Sequence, residues 1–307
     1  MRKVKIFLTG GQGMVGSNIR EVLPNSDYEF FFPDIDELNL LDFNAIDSYF
    51  KTNSFDFVIH AAGIVGGIHA NINNPVKFLV ENTDMARNII LAAKNNNVKR
   101  MINLGSSCMY PREAINPLKE NLILKGELEP TNEGYALAKI YAMRLCEYIN
   151  RESEEFEYKT LIPCNLFGRY DKFDPKHSHL LPSIIYKLIT ARESQSKEVE
   201  IWGDGEARRE FMYAGDLANF IWFAIENFSK LPMVMNVGLG YDYSINQYYE
   251  SAAKVIGYNG IFTHDLSKPV GMKQKLVDIS FQEALGWQPK YSLEDGIRET
   301  FKFYTNN

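Results

Sequence analysis

The chain has 307 residues, of which 45% are apolar and 13% aromatic, and its formal net charge is −6. This composition predicts a globular protein with a core large enough for one or two domains, and it excludes a largely disordered chain. Acidic and basic residues are mixed without a long basic run, so we expect no nucleic-acid partner.

The chain opens with a predicted strand that runs directly into a glycine-rich loop. Residues 3–9 have the apolar pattern of a short buried strand, and Gly10, Gly13 and Gly16 then precede a helical pattern. Glycines at such a corner let the backbone approach a pyrophosphate, and the helix N-terminus adds free N–H groups and a partial positive charge. The loop therefore predicts dinucleotide binding, and its G-x-x-G-x-x-G spacing favours the short-chain dehydrogenase/reductase class.

The end of the second predicted strand, residues 28–32, bears on the choice of cofactor. A carboxylate there can hydrogen-bond the adenosine ribose hydroxyls and repel a 2′-phosphate, so Asp34 favours NAD(H). A turn role for Asp34 is the alternative, which leaves the choice between NAD(H) and NADP(H) open. Residues 39–42, which include Leu41, are expected to begin a helix near the adenine.

A third strand is predicted at residues 55–60 and ends in Ala61, Ala62 and Gly63. Small side chains at this position allow a cofactor to lie against the strand end. Turns from residue 71, followed by a helix, lead on to the next strand.

Residues 101–104 form the fourth predicted strand, so strands and helices alternate along the first half of the chain. This order predicts an α/β fold with a parallel, doubly wound Rossmann sheet and right-handed crossovers. Ligands bind at the carboxyl ends of the strands in such sheets. The loops at Gly10, Ala61, Ser106 and Asn165 are therefore expected to face one crevice.

A tyrosine and a lysine share a predicted helix that begins near Thr131 or Asn132, either of which can cap its first turn. Tyr135 and Lys139 are four residues apart and so lie on one helix face. An ammonium held near a phenol lowers the phenol pKa from about 10 and makes it a usable acid or base. A surface pair that merely shares a helix face is the alternative.

The second half is expected to form a smaller α/β substrate domain, with helices at residues 211–228, 244–256 and 293–303. The predicted division gives the NAD(P)-binding domain residues 1–168 and about 211–238, and the substrate domain about 169–210 and 239–307.

The three cysteines are widely spaced and suit neither a disulfide framework nor a zinc cluster, which indicates a reducing cytoplasm. No apolar stretch has the length of a membrane span, and the first residues run straight into a strand, so we expect no membrane partner and no signal peptide. Cys146 and Cys164 are interpreted as buried apolar residues. Cys108 follows two serines beyond a strand end, which favours a direct chemical role.

Motifs along nearly the whole chain resemble those of the GDP-L-fucose synthase branch of the extended short-chain dehydrogenase/reductase family. They are Val65 to Asn71, Gly105 to Pro111, Gly126 to Glu133, Asn165 to Gly168, Asp171 to Pro182, Trp202 to Gly205 and Arg209 to Phe211. The resemblance implies a GDP-4-keto-6-deoxy-hexose substrate, epimerised at C3 and C5 and then reduced at C4 by NADP(H). It also implies a homodimer formed through two helices of the first domain.

The resemblance implies a role for each catalytic residue. Ser106 or Ser107 donates a hydrogen bond to the sugar ketone, and Tyr135 protonates the alkoxide that forms at C4. Lys139 holds the phenol and the cofactor ribose. For epimerisation, Cys108 is the base and His179 the acid, one on each face of the ring. Both groups titrate near enough to neutrality for this task.

Binding residues are expected at both ends of the crevice. The predicted cofactor-binding residues are Gly10, Gly13, Met14, Val15, Gly16, Asp34, Leu41, Ala61, Ala62, Gly63, Tyr135, Lys139, Pro163, Asn165 and Leu166. The predicted substrate-binding residues are Asn165, His179, Lys187, Trp202, Arg209 and Lys275. Arg209 and Lys275 are expected at the GDP pyrophosphate. Trp202 is expected to stack near the nucleotide, with a buried core position as the alternative.

Some residues differ from the family pattern at positions that affect the choice of cofactor and the identity of the sugar. Gln12 and Ile35 stand where relatives carry arginine for the NADP phosphate, and Val270 replaces an aspartate. NADH use and another sugar, such as a heptose, therefore stay open. A GDP-sugar 3,5-epimerase or 4,6-dehydratase is the enzymatic alternative, although a dehydratase favours a carboxylate where Cys108 stands. A catalytically silent nucleotide sensor is the alternative from another class.

Overall fold

The computed structural model describes residues 2–23, 27–173, 178–268 and 272–306, so Val270 lies outside the described residues. The strands are β1 (Val4–Thr9), β2 (Tyr28–Phe31), β3 (Phe57–His60), β4 (Arg100–Leu104), β5 (Glu157–Pro163), β6 (Asn165–Phe167), β7 (Glu198–Trp202), β8 (Arg208–Arg209), β9 (Phe211–Tyr213), β10 (Val234–Val237), β11 (Tyr243–Ser244), β12 (Ile261–Asp265) and β13 (Gln274–Lys275).

The α-helices are α1 (Met14–Glu21), α2 (Phe43–Asn53), α3 (Ile68–Asn73), α4 (Pro75–Asn95), α5 (Glu133–Glu152), α6 (Leu180–Glu193), α7 (Ala214–Glu226), α8 (Ile245–Ile256), α9 (Ser280–Ala284) and α10 (Leu293–Asn306). Short 3₁₀ helices cover Ser107–Met109, Glu120–Leu122, Pro130–Asn132 and Phe228–Lys230. In these described ranges, no helix is both long enough and apolar enough to cross a bilayer.

Six parallel strands form the central sheet in the order β10-β5-β4-β3-β1-β2. Ile6, Phe7 and Leu8 in β1 are all fully buried. Successive side chains of a strand point to opposite faces, so burial of all three requires a packed layer on each side. The α/β fold with a doubly wound Rossmann sheet, predicted from the sequence, is confirmed.

Each face of the sheet has its own apolar layer. On one face Phe7 and Val58 pack in a cluster with residues of α2, α4 and α5. On the other face Ile6 and Leu8 pack in a cluster that includes residues of α1 and α7. Because β1, β3 and β4 are parallel, the loops that follow them lie at the same edge of the sheet.

A separate apolar core supports the second part of the chain, built from α6, α8 and α10 with residues of β7 and β9. Three small sheets border it, in the orders β11-β8-β13, β12-β7 and β6-β9. Val277 and Trp287, which the predicted division places in the substrate domain, are buried in the core of the central sheet. Residues 277–287 thus contribute to the first core, whereas α10 belongs to the second.

Several element boundaries differ from the sequence-based expectation. Residues 71–73 end α3 (Ile68–Asn73), where turns were expected, and residues 211–213 form β9 before α7 begins. The helix expected from residue 39 starts only at Phe43, because the Asp42 carboxylate accepts hydrogen bonds from Asn44 N (2.9 Å) and Ala45 N (3.1 Å) as its cap.

Candidate active site

The glycine loop after β1 is a tight cradle. Gly10 has a φ of +70°, and a Cβ added there would lie 2.8 Å from Ala62 Cα. A Cβ at Gly16 would lie 2.1 Å from Gly10 O. Gly13 precedes α1 without a side-chain cap, so the first backbone N–H groups of the helix face the loop. This cradle fits the diphosphate of a dinucleotide, which needs close backbone approach and free donors.

A buried hydrogen-bond group fixes the end of β3 against this cradle. Thr9 Oγ1 accepts from Ala61 N (3.2 Å) and Ala62 N (3.1 Å) and lies 2.9 Å from His60 Nδ1. Burial, together with the charge of Lys139, lowers the pKa of His60 to about 3, so its ring is neutral. With both lone pairs used, the Thr9 hydroxyl donates to Nδ1, which leaves the imidazole proton on Nε2.

The Asp34 carboxylate at the end of β2 is engaged in a turn of its own. Its Oδ1 accepts from Asp36 N (2.9 Å) and Glu37 N (3.0 Å). This geometry matches the turn alternative raised from the sequence. Leu41 and Ile35 nearby are 43% and 76% exposed.

Arg20 lies beside the cradle and is not among the residues predicted from the sequence. Its Nη1 donates to Gln12 Oε1 (2.9 Å) and Gly11 O (3.2 Å), and its guanidinium carbon lies 4.1 Å from the Phe32 ring centroid. The end of β2 therefore has a cation although Gln12 and Ile35 lack one. The sequence does show an arginine in the last turn of α1. Helical side chains point back towards the helix N-terminus, so an arginine at this position can reach the glycine loop.

The loop after β4 carries the predicted serines. Ser106 Oγ accepts from Cys108 N (3.3 Å), and the Ser106 side chain also hydrogen-bonds the Tyr135 phenol. Ser107 is 2% exposed. Ser106 is thus the serine that the fold sets beside Tyr135.

Tyr135 and Lys139 both lie on α5, but their electrostatics differ from the sequence-based expectation. Lys139 Nζ donates to Leu104 O (2.9 Å) and lies 5.8 Å from the Tyr135 ring centroid. Burial raises the pKa of Tyr135, the nearby Cys108 raises it further, and the Ser106 hydrogen bond opposes both. The expected net lowering of the Tyr135 pKa is therefore wrong, because burial dominates, and the phenol is held protonated.

Two side chains converge on the Cys108 sulfur. Asn132 Nδ2 donates to Sγ at 3.3 Å, and Lys275 Nζ lies 3.7 Å from it. Asn132 holds the N-cap position of α5, as predicted, but its side chain makes no capping hydrogen bond. Glu129 Oε1 caps the preceding 3₁₀ helix by accepting from Thr131 N (3.4 Å). The amide of Asn132 is thereby free to face the thiol. Cys146 and Cys164 are buried, as expected.

His179 immediately precedes α6. Burial lowers its pKa, and the charge of Lys172 lowers it further. A Cβ at Gly67 would lie 3.1 Å from Ser178 O, so this segment packs against the start of α3. Among the described residues, no hydrogen bond joins His179 to Cys108, although α3 also packs against the 130–132 turn that carries Asn132.

An exposed tryptophan of the second domain lies beside the ammonium groups of two lysines. Trp202 is 44% exposed, which excludes the buried alternative. Lys187 Nζ and Lys268 Nζ each lie 5.7 Å from its ring centroid, and His69 packs edge-on at 6.4 Å. Burial lowers the pKa of Lys187. A planar face beside cations suits a nucleotide base and phosphate.

The remaining predicted residues lie where the two domains meet. Arg209 and Lys275 are direct neighbours across the β8–β13 pair, and burial lowers the pKa of Arg209. Asn165 Nδ2 donates to Glu210 O (2.9 Å), so its amide nitrogen already has a partner. Pro163 is buried at the end of β5, and Leu166 is half-buried in β6.

A model of the NAD dependent epimerase/dehydratase family matches residues 6–238. The chain belongs to this family. GDP-L-colitose synthase of Yersinia pseudotuberculosis is 58% identical over 303 residues, which span 99% of this chain and 98% of the relative. GDP-L-fucose synthase of Azorhizobium caulinodans is 50% identical over 300 residues, spanning 98% and 96%. The resemblance to the GDP-L-fucose synthase branch is confirmed.

Solved structures agree with this placement in the epimerase/dehydratase family. A GDP-6-OMe-4-keto-L-xylo-heptose reductase from C. jejuni has a TM-score of 0.91 at 28% identity, covering 99% of this chain and 98% of that one. A GDP-mannoheptose C4 reductase from Campylobacter jejuni, with NADP bound, has a TM-score of 0.88 at 29% identity, covering 99% of each chain.

Lys139 is predicted to titrate far below an ordinary lysine. Burial lowers its pKa from 10.5 to about 8, partly offset by the nearby Cys108. Its ammonium is therefore present below pH 8 and lost above it. NMR of ¹³Cε-labelled lysine, with Lys139→Met to assign the signal, should show one lysine titrating near pH 8. A Lys139 signal that titrates with the bulk lysines would contradict this electrostatic description.

Proposed function

We propose that the protein is a GDP-4-keto-sugar reductase that reduces C4 of a GDP-4-keto-deoxy sugar with NADP(H). The single observation that carries the proposal is the Ser106, Tyr135 and Lys139 group at the strand ends, beside the glycine cradle. The relatives named GDP-L-colitose synthase and GDP-L-fucose synthase, which match nearly the full chain, support the same substrate class.

Reduction of a ketone needs a hydride donor at the carbonyl carbon and a proton donor at the carbonyl oxygen. A bound reduced nicotinamide supplies the hydride. Ser106 donates a hydrogen bond to the ketone oxygen, and Tyr135 gives its phenolic proton to the oxygen as charge develops on it. A raised phenol pKa suits this direction, because the group must arrive protonated. The Lys139 ammonium, 5.8 Å from the ring, stabilises the phenolate that remains.

Tyr135→Phe should lower C4 reduction by about 100-fold or more, since a positioned acid typically contributes that much. Loss of NADPH absorbance with a panel of GDP-4-keto sugars that differ at C3 and C6 measures the rate and identifies the sugar. Fluorescence titration should show nearly unchanged NADPH binding.

The matched control is Tyr49→Phe, which should keep full activity. Tyr49 is a half-buried tyrosine on α2 that packs against the apolar layer containing Phe7 and Val58. Turnover by Tyr135→Phe within a few-fold of the unmodified enzyme would reject the assignment. NADPH binding by the unmodified protein without turnover of any sugar would favour the nucleotide-sensing alternative.

We further propose that Cys108 and His179 epimerise the sugar before reduction. Hydrogens on the carbons beside a ketone are acidic, so a thiolate can remove one and leave an enolate. His179 returns a proton to the opposite face. Because burial lowers its pKa, the imidazolium is a stronger acid, and its population grows as the pH falls below 6.5.

Turnover in deuterated water should place deuterium at a carbon adjacent to C4, and Cys108→Ser should abolish this labelling because an alcohol is a much weaker base. Product mass spectrometry and NMR measure the label. Cys108→Ser should still reduce a substrate that is supplied already epimerised. Full-rate formation of unlabelled product by the unmodified enzyme would instead indicate a simple reductase.

We infer that NADP(H) is the preferred cofactor and that Arg20 provides the cation for its adenosine 2′-phosphate. The guanidinium is held over Phe32 and against Gln12 at the loop where the adenosine ribose binds in this fold. Asp34 is engaged in its own turn and so does not oppose this choice. The related C4 reductase with bound NADP supports the same cofactor.

Arg20→Met should lower kcat/KM for NADPH by about tenfold or more, because a hydrogen bond to a charged group is lost, and leave NADH use nearly unchanged. Steady-state kinetics with both cofactors measure the ratio. An equal loss with NADPH and NADH would show that Arg20 only braces the loop, and no loss with either would exclude it from the site.

We also propose a homodimer, in a cytoplasmic location that suits the three free cysteines. The helices α4 and α5 pack side by side. Apolar residues at helical spacing are exposed on both of them, namely Val76 (72%), Val80 (46%), Leu137 (39%), Tyr141 (37%) and Tyr148 (52%). Because both helices contribute to the surface, a second copy can cover it symmetrically.

Val80→Asp should convert a dimer to a monomer, because a carboxylate in an apolar interface loses its hydration. Light scattering after gel filtration measures the mass. Leu266→Asp, at a 75% exposed position on another surface, is the control and should leave the mass unchanged. A monomeric unmodified protein would contradict the proposed assembly.

A further inference from the structure

A turn of two glycines, Gly66 and Gly67, packs against the segment that carries His179. A Cβ added at Gly66 would lie 2.9 Å from Ala70 Cβ, and one added at Gly67 would lie 3.1 Å from Ser178 O. The turn therefore has close neighbours on both sides and no space for side chains of its own. A change in its position would change the packing of the residue that precedes His179.

The Asn71 side chain holds this turn to α3. Asn71 is 7% exposed, and its Nδ2 donates to Gly66 O (2.8 Å) and Gly67 O (3.1 Å). These two carbonyl partners determine which end of the amide is nitrogen, because only the NH₂ group can donate. Its Oδ1 is buried without a hydrogen-bond partner in the part of the chain that the structure describes. The side chain thus acts through its two donors.

The same helix also contacts the residues that support Cys108. The helix α3 packs against the 3₁₀ helix Pro130–Asn132. Asn132 Nδ2 donates in turn to Cys108 Sγ at 3.3 Å. Asn71 and Asn132 line one crevice, so the contact between the two segments is direct. Through α3, the turn beside His179 is therefore fixed relative to the support of Cys108.

We propose that Asn71 is a positioning residue that sets His179 relative to Cys108 for the epimerisation of the sugar. This inference rests on the proposed epimerisation. In that reaction a C–H bond beside the ketone breaks, its proton goes to one of the two groups, and its electron pair moves to the ketone oxygen. The pair then returns to form a new C–H bond with a proton from the other group. Both transfers occur at one carbon, so their rate depends on the spacing of the two groups.

Reduction at C4 uses groups that Asn71 does not hold. Ser106 belongs to the loop after β4, and Tyr135 belongs to α5. The hydrogen bonds of the Asn71 side chain end on Gly66 and Gly67. Loss of these bonds should therefore slow epimerisation more than reduction.

Asn71→Leu tests the proposal, because leucine is similar in size but has no donor for the turn. Epimerisation is followed in the full-length, NADP⁺-loaded protein as deuterium exchange from deuterated water into a GDP-4-keto sugar. Reduction is followed as NADPH oxidation with a sugar supplied already epimerised. Exchange should slow about 100-fold, because a displacement of about 1 Å can have an effect of that size. Reduction should stay within a few-fold of the unmodified rate.

A second variant tests the same contact from the other side of the turn. The methyl group of Gly67→Ala would meet Ser178 O at 3.1 Å, so this variant should also slow exchange more than reduction. It provides the comparison if Asn71→Leu melts at a much lower temperature. The matched control is Asn53→Leu at the end of α2, where Nδ2 donates to Tyr49 O (2.9 Å). The control should leave both rates unchanged.

Three results separate the proposal from its alternatives. Unchanged deuterium exchange in Asn71→Leu and Gly67→Ala would overturn it. An equal loss of exchange and reduction in these variants would also overturn it, because it would show that Asn71 only stabilises the fold. Absence of deuterium exchange with the unmodified enzyme would instead defeat the proposed epimerisation, whatever the variants do.

Discussion

One buried carboxylate holds together the parts of the molecule that form the site. Glu210 is fully buried, and its Oε1 accepts from Leu239 N (2.6 Å) and Gly240 N (3.0 Å) while Oε2 accepts from Val277 N (2.9 Å). Its backbone carbonyl accepts from Asn165 Nδ2. Burial raises its pKa to about 7, and the three backbone donors oppose the shift.

The segments that Glu210 joins connect the central sheet with the second domain. Leu239 follows β10, Val277 follows β13, and Glu210 itself lies between β8 and β9. Fixing them to one carboxylate sets where Arg209 and Lys275 lie relative to the loop that carries Cys108. A buried charge of this kind is costly unless every acceptor position is used, which explains the dense set of backbone donors around it.

The sequence predicts the sheet and the glycine cradle well because both depend on local order. Strand, glycine loop and helix follow one another within residues 4–21, and the buried strands are continuous apolar runs. The Tyr135 and Lys139 pair is also local, since helical spacing alone puts both on one face. By contrast, the direction of the Tyr135 pKa shift depends on burial by the folded chain, which no local pattern contains.

Contacts between residues far apart in the chain could not be predicted from the sequence. Asn132 and Lys275 reach Cys108 from 24 and 167 residues away, and only the paired strands of the second domain bring the lysine there. Arg20 could not be predicted as a cofactor-binding residue, because contacts with Phe32 and Gln12 fix the position of its guanidinium in the folded chain. The motif resemblance predicted that Lys275 lies at the GDP pyrophosphate, whereas the structure places its ammonium beside Cys108. A motif identifies a position in the chain but does not show which side chains pack around it.

The central claim is that this crevice delivers a nicotinamide hydride to the C4 ketone of a GDP-bound sugar. The most direct measurement uses NADPH that carries deuterium at both C4 positions of the nicotinamide, with NMR of the sugar product. The account predicts one deuterium at C4 of the reduced sugar, on a single face. A product that contains no deuterium from the labelled cofactor, or oxidised cofactor without a reduced sugar, would contradict it.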